Sequence, residues 1–144
     1  MISHLRVLVV DDDPSILEVL GAHLDARGYA TRMCENAREA LEVLPCESFD
    51  LIISDINMAE MNGFEFLKIA RERWPRSGIV LMTAYQDRYP LSEALRAGAD
   101  GYISKPFTLE KFSLIFERAY WNALSRQDWW ENHDDGTPND AQTV

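Results

Sequence analysis

Leu5-Arg6-Val7-Leu8-Val9-Val10 runs without a break into Asp11-Asp12-Asp13-Pro14. A continuous run of β-branched residues and leucine, bounded by a turn, reads as a strand buried on both faces. Such a strand belongs to a parallel sheet with helices packed on either side. The next residues agree. Pro14 and Ser15 open a helical pattern, Ile16, Leu17, Leu20 and Leu24 recur at helical spacing, and Gly28 stops it. The triple acid therefore stands where a strand hands over to a helix.

The same unit recurs to the end of the chain. Tyr29 to Cys34 alternate weakly and read as a second, more exposed strand. Asn36 is a good N-cap for a helix carrying Ala37, Ala40, Leu41 and Leu44, ended by Pro45. Phe49 to Ser54 form a third strand, and Asn62-Gly63 begins a helix with Phe64, Phe66, Leu67 and Ala70 inward. Residues about 78–82 and 101–104 are the fourth and fifth strands. Leu91, Ala94 and Leu95 mark a helix over about 87–97, and Thr108 caps a last helix over about 108–124. Five such units predict an α/β fold, a parallel sheet covered on both faces. Residues 1–124 then form one domain. Residues 125–144 read as a polar, acidic C-terminal tail or the start of a linker, frayed from about Gln127.

Polar residues follow the apolar runs. Asp11, Asp12 and Asp13 end the first, Asp55 follows Leu51-Ile52-Ile53-Ser54, Thr83 follows Ile79-Val80-Leu81-Met82, and Lys105 follows Gly101-Tyr102-Ile103-Ser104. In neighbouring parallel strands these groups converge beyond the carboxyl ends, where open α/β sheets place their sites. Several carboxylates crowded together raise one another's pKa unless a cation joins them. Hard oxygen ligands suit Mg²⁺. A Mg²⁺ site with a lysine and a threonine beside it is a site for a phosphoryl group.

Composition narrows the partners. The 144 residues suit one domain, and 47% hydrophobic content fills one core. A net charge of -10 disfavours direct contact with nucleic acid or an anionic membrane. Cys34 and Cys46 have neither metal-ligand nor CxxC spacing and read as reduced thiols. No signal peptide and no run of ~20 apolar residues is present, so a cytoplasmic protein is expected.

The motifs together resemble the receiver domain of bacterial two-component response regulators. Leu8 to Asp13 look like the family's first-strand acidic motif, and Asp55-Ile56-Asn57-Met58-Ala59-Glu60-Met61-Asn62-Gly63 its phosphoacceptor loop. Met82-Thr83-Ala84-Tyr85 resembles its hydroxyl motif, and Tyr102-Ile103-Ser104-Lys105-Pro106-Phe107 its lysine-proline motif. The resemblance covers about 1–122 and implies a flavodoxin-like doubly wound (βα)5 sandwich with strand order 2-1-3-4-5.

It also implies roles. Asp55 would be the phosphoacceptor, with Asp12 a direct and Asp11 a water-mediated Mg²⁺ ligand. Asn57 would give its backbone carbonyl to the metal. Thr83 and Lys105 would hold phosphoryl oxygens, Thr83 and Tyr102 would form the switch, and the Lys105-Pro106 bond would be cis. Ala59 departs from the family's usual proline. Tyr85 is large for a position that governs access to the acceptor. The module would assist its own phosphorylation and dephosphorylation rather than act as an enzyme on a separate substrate. Its partners would be a histidine kinase or phosphotransfer protein and a downstream target or output domain. A homodimer through the 87–124 face is a further possibility.

Other readings compete. Asp11-Asp12-Asp13-Pro14-Ser15 partly satisfies the aspartate-nucleophile motif of haloacid dehalogenase-type enzymes, with Asp11 as nucleophile and Asp13 as acid/base. A pseudo-receiver that takes no phosphate is the third. His4, His23 and His133 lack mutual spacing and read as surface residues. Trp121, Trp129 and Trp130 fit either a partner patch or packing on the domain itself.

Overall fold

The computed structural model describes residues 4–84 and 91–133, with side chains over 4–84 and 92–126. Strands and helices alternate: β1 (Arg6–Val10), α1 (Pro14–Ala26), β2 (Ala30–Cys34), α2 (Ala37–Val43), β3 (Leu51–Asp55), α3 (Gly63–Arg73), β4 (Gly78–Ala84), α4 (Leu91–Arg96), β5 (Gly101–Lys105) and α5 (Leu109–His133). All strand pairs are parallel, in the order β2-β1-β3-β4-β5. This is the flavodoxin-like order that the resemblance implies.

Alternate residues of the central strands feed two cores. Leu8, Val10, Ile52, Ile79 and Leu81 pack with Ala40, Phe66, Leu67 and Ala94 of α2, α3 and α4. Val7, Val9, Leu51, Ile53, Val80 and Met82 pack with Leu20, Leu24, Phe112 and Phe116 of α1 and α5. Both faces are covered, which is why β1, β3 and β4 read as unbroken apolar runs rather than alternating ones. Each fully buried side chain of this size contributes about 1.5–3 kcal/mol.

Local signals set the helix starts. Asp13 caps α1, its Oδ1 accepting from Ser15 N at 3.0 Å, and Pro14 opens the first turn. Asn36 and Asn62 cap α2 and α3 through Glu39 N and Glu65 N. Gly28, at φ 85°, turns the chain from α1 into β2 in a conformation that other residues adopt only with strain.

Three expectations change. The last helix does not stop near 124 but runs to His133. The polar composition past Gln127 suggested a tail, yet no glycine or proline interrupts the chain before Gly136, and Arg126 fastens this stretch to the domain. His23 is not a free surface residue. It is half-buried, its Nε2 2.8 Å from Ser113 Oγ and its ring edge-on to Phe112. The strands also reach further than expected, so Asp55, Thr83 and Lys105 lie within β3, β4 and β5 rather than beyond them. The expected roles of Tyr85, of residues 87–90, of the Trp129 and Trp130 side chains and of the tail at 134–144 fall outside the described residues.

Candidate functional site

The strand register builds the site. Val10 lies opposite Ser54, so Asp11 and Asp55 leave β1 and β3 at one level. Asp55 pairs with Met82, placing Thr83 one residue further along β4, and Lys105 of β5 lies opposite Ala84. Parallel strands in register thus gather four residues from four strand ends at one edge of the sheet.

Asp11, Asp12 and Asp55 each present a carboxylate oxygen, all within 4.8 Å of one another. Asp11 is fully buried and Asp55 nearly so, while Asp12 is exposed. Lys105 reaches across with Nζ 2.8 Å from Asp11 Oδ2 and 3.6 Å from Asp55 Oδ1. Asp11 Oδ1 accepts the Asp13 backbone N–H at 2.9 Å, which orients the buried carboxylate. An oxygen-only donor set open on the Asp12 side fits a hard cation such as Mg²⁺.

The charges are unbalanced without such a cation. Burial first, and then the Asp11 and Asp12 charges, push Asp55 up to about 6, against Lys105 and the Asn57 backbone N–H, which favour its ionised form. Burial works against the charge on Lys105, but the hydrogen bond to Asp11 and the Asp55 and Asp11 charges outweigh it and raise its pKa. Asp13 is different. Its carboxylate accepts from Ser15 Oγ and Ser15 N, which lower its pKa, and it serves the helix cap.

Thr83 is buried on β4 with its Oγ1 3.4 Å from Ala84 O. Tyr102 pairs with Leu81 and packs at the edge of the core between the sheet and α2, α3 and α4. Thr83 lies two residues beyond Leu81, so it and Tyr102 are diagonal neighbours on one sheet face. The Lys105-Pro106 peptide bond is cis. In the loop after Asp55, Glu60 takes a left-handed φ of 70°.

Gly63 was legible only as a helix start, yet it packs against the backbone of Asp55. A Cβ there would lie 2.5 Å from Asp55 O and 2.7 Å from Ile56 Cα. The signal was present in the Asn62-Gly63 pair, but a close approach of two backbones has no local sequence mark of its own.

Comparison with known proteins agrees with this geometry. Residues 7–117 match the family model described as the response regulator receiver domain. The regulatory protein AtoC of Escherichia coli K12 is 38% identical over 114 residues, 79% of this chain and 25% of that protein. Response regulator protein FleR of Pseudomonas aeruginosa is 41% identical over 102 residues, 71% of this chain and 22% of that protein. The chain thus spans about a quarter of the length of these curated relatives. Among solved structures, the chemotaxis protein CheY4 of Vibrio cholerae superposes with a TM-score of 0.75 at 34% identity, over 81% of this chain and 98% of that one. NtrX from Brucella abortus gives 0.81 at 25% identity, over 87% of this chain and 29% of that one. A family match over most of the chain, with the strand order and the converging acids, lysine and threonine, shows that it belongs to the response regulator receiver domains, the phosphoacceptors of two-component phosphorelay signalling.

Proposed function

We propose that Asp55 is the residue that accepts the phosphoryl group. The observation that carries this reading is its position: a nearly buried carboxylate, 3.6 Å from Lys105 Nζ and within 4.8 Å of oxygens from Asp11 and Asp12. A carboxylate oxygen of Asp55 would attack phosphorus, and the new O–P bond would replace the P–N bond of a donor phosphohistidine. The electron pair of that bond leaves with the imidazole nitrogen, which takes up a proton.

The module would promote this transfer itself. Receiver domains bind Mg²⁺ at an acidic pocket, and Asp11, Asp12, Asp55 and the Asn57 backbone carbonyl are the groups we assign to it. Bound there, Mg²⁺ would supply positive charge to offset the phosphoryl oxygens. Lys105 would turn from Asp11 toward the incoming group and neutralise a second oxygen. Thr83 would donate its hydroxyl to a third. Water attacking the acyl phosphate in line would reverse the modification.

The aspartate-nucleophile alternative is disfavoured by the first-strand acids. Asp11 is held by Lys105 and the Asp13 N–H, and Asp13 is engaged in the cap of α1. The pseudo-receiver alternative is disfavoured because acceptor, acidic pair, threonine and lysine are all in place.

Receiver domains interact with histidine kinases and output domains. For a phosphohistidine donor, the groove of Ile16, Val19, Phe107 and Leu109 beside Lys105 offers apolar contact next to the acceptor. For output, Thr83 drawn toward the phosphoryl group would leave space for Tyr102 to turn inward, reshaping the face formed by α4, β5 and α5. Leu95, Leu114 and Trp121, each more than half exposed, suit that face to a protein partner or a second copy. We assign residues 1–124 to the receiver domain and place the protein in the cytoplasm. None of the described helices is long and apolar enough to cross a membrane.

Incubation with acetyl phosphate and Mg²⁺, read by intact mass, tests the assignment. One phosphoryl adduct is expected, lost in Asp55→Asn. An adduct of equal yield in Asp55→Asn, or one mapped to Asp11, overturns it.

A further inference from the structure

Asp100 stands immediately before β5, at the sheet edge opposite the acidic site. Its side chain is only 1% exposed, and its two oxygens face different partners. Oδ2 accepts from Arg71 Nη2 at 2.8 Å and from the backbone N–H of Ile79 at 2.9 Å. Arg71 is itself bound to the carbonyls of Gly98, Pro75 and Ser77, so this oxygen belongs to the body of the domain. Oδ1 accepts from Asn122 Nδ2 at 3.0 Å and from Arg126 Nη1, and both donors are on α5. One buried carboxylate thus joins α3 and β4 to the far part of α5.

Among the described side chains, that far part has few other holds. Ala119 and Ala123 are buried on α5, and Gly78 gives them room: a Cβ at Gly78 would lie 3.1 Å from the Ala123 Cβ. Beyond Ala123, Arg126 is the anchor among the described side chains, through Asp100 and the Ser77 carbonyl at 3.2 Å. The helix then continues to His133.

The anchor is built to release. If Arg126 leaves, Asp100 keeps Arg71, the Ile79 N–H and Asn122, so its charge stays compensated. Arg126 is partly exposed, but its Nε is buried and unpartnered, which lowers what the closed arrangement gains. The two guanidiniums also share one carboxylate: burial first, and the Arg126 charge as well, disfavour the charged form of Arg71, which Asp100 favours.

Both strands at this contact end at the candidate site. β4 runs from Gly78 to Ala84 and carries Thr83, while β5 runs from Gly101, next to Asp100, to Lys105. We propose that Asp100 and Arg126 form a releasable clamp on the outgoing end of α5, opened when Thr83 and Lys105 are drawn toward a phosphorylated Asp55. This second half rests on the reading of Asp55 as acceptor. The Oδ2 contacts travel with the strands, whereas the Arg126 contact on Oδ1 crosses to the far part of α5 and is the one that gives.

Amide hydrogen exchange over 119–133 tests the clamp in the wild type, Arg126→Ala and Arg126→Lys, before and after acetyl phosphate with Mg²⁺. Intact mass reports phosphorylation separately. Unphosphorylated Arg126→Ala should exchange at least threefold faster at 124–133, with 109–118 unchanged and Asp55 still phosphorylated, and Arg126→Lys should fall between it and wild type. Phosphorylation should speed exchange at 124–133 in wild type and add nothing in Arg126→Ala. Equal exchange in unphosphorylated wild type and Arg126→Ala overturns the clamp. A phosphoryl adduct with unchanged wild-type exchange at 124–133 overturns its coupling to the site. Absence of any adduct overturns the acceptor reading and that coupling together, and leaves the clamp judged on Arg126→Ala alone.

Discussion

Lys105 is hydrogen-bonded to Asp11 and only ion-paired with Asp55: its Nζ lies 2.8 Å from Asp11 Oδ2 and 3.6 Å from Asp55 Oδ1. Without a phosphoryl group, the lysine is held by the fully buried acid that follows β1. Removing it strands that acid. Loss of one partner from a buried pair is strongly destabilising, and the partial exposure of Lys105 reduces the penalty to about 2 kcal/mol. Lys105→Met is expected to lower stability by that amount in urea titrations with EDTA. Adding Asp11→Asn should recover most of the loss, because the neutral amide needs no counter-charge. Additive losses in the double variant would show that the pair is not coupled.

Asp55 carries a stability cost that depends on pH. Its pKa stands at about 6 in the folded chain, against an ordinary aspartate value of 3.8. A raised pKa means that the folded state binds the proton more tightly than the unfolded chain. The resulting stabilisation is full below about 3.8 and is lost as pH rises through about 6. At about 1.4 kcal/mol per pH unit, up to about 3 kcal/mol is at stake. In EDTA, Asp55→Asn should therefore be more stable than wild type at pH 7.5, by about 2–3 kcal/mol more than at pH 4. Mg²⁺ should narrow the gap at pH 7.5 by stabilising wild type. A gap that does not change between pH 4 and 7.5 would contradict the electrostatic account of the site.

The site was legible in the sequence to the extent that it is built from strand ends. Asp11, Asp55, Thr83 and Lys105 each follow an apolar run, and parallel register does the rest. What stayed hidden depends on distant partners. Asp100 sits in Gly98-Ala99-Asp100-Gly101, which reads only as a turn, while Arg71 and Arg126 lie 29 and 26 residues away. His23 looked like a surface residue because its partner, Ser113, is 90 residues distant. The reach of α5 was underestimated because polar composition marks solvent exposure, not the end of a helix, and the hold by Arg126 on Asp100 and the Ser77 carbonyl has no local sequence mark.

The two thiols should separate cleanly by reactivity. Cys34 is buried at the end of β2, where burial pushes its thiol up to about 11, while Cys46 is exposed after α2. The thiolate is the reactive form, so Cys34 is both inaccessible and protonated at neutral pH. A disulfide-exchange reagent at pH 8 is expected to modify one thiol per folded chain quickly, and none quickly in Cys46→Ser. Rapid modification of two thiols in folded wild type would refute the burial of Cys34.

Gly63 should be the residue of the loop after Asp55 least tolerant of a methyl group. Its missing Cβ leaves room for Asp55 O and Ile56 Cα, at 2.5 and 2.7 Å from where a Cβ would stand. Both contacts are backbone, so no side chain can swing aside, and its N–H donates to the Ile56 carbonyl at 2.8 Å. Gly63→Ala must push the start of α3 away from the end of β3, an overpacking cost of about 1–3 kcal/mol. Because the displaced backbone is that of Asp55 itself, the variant should also take phosphate from acetyl phosphate several-fold more slowly. The comparison variant is Ala59→Pro, at an exposed position of the same loop. Urea titration and intact-mass time courses on both variants separate the causes. Loss of stability without slower phosphorylation in Gly63→Ala would mean that the glycine serves packing alone and not the placement of Asp55.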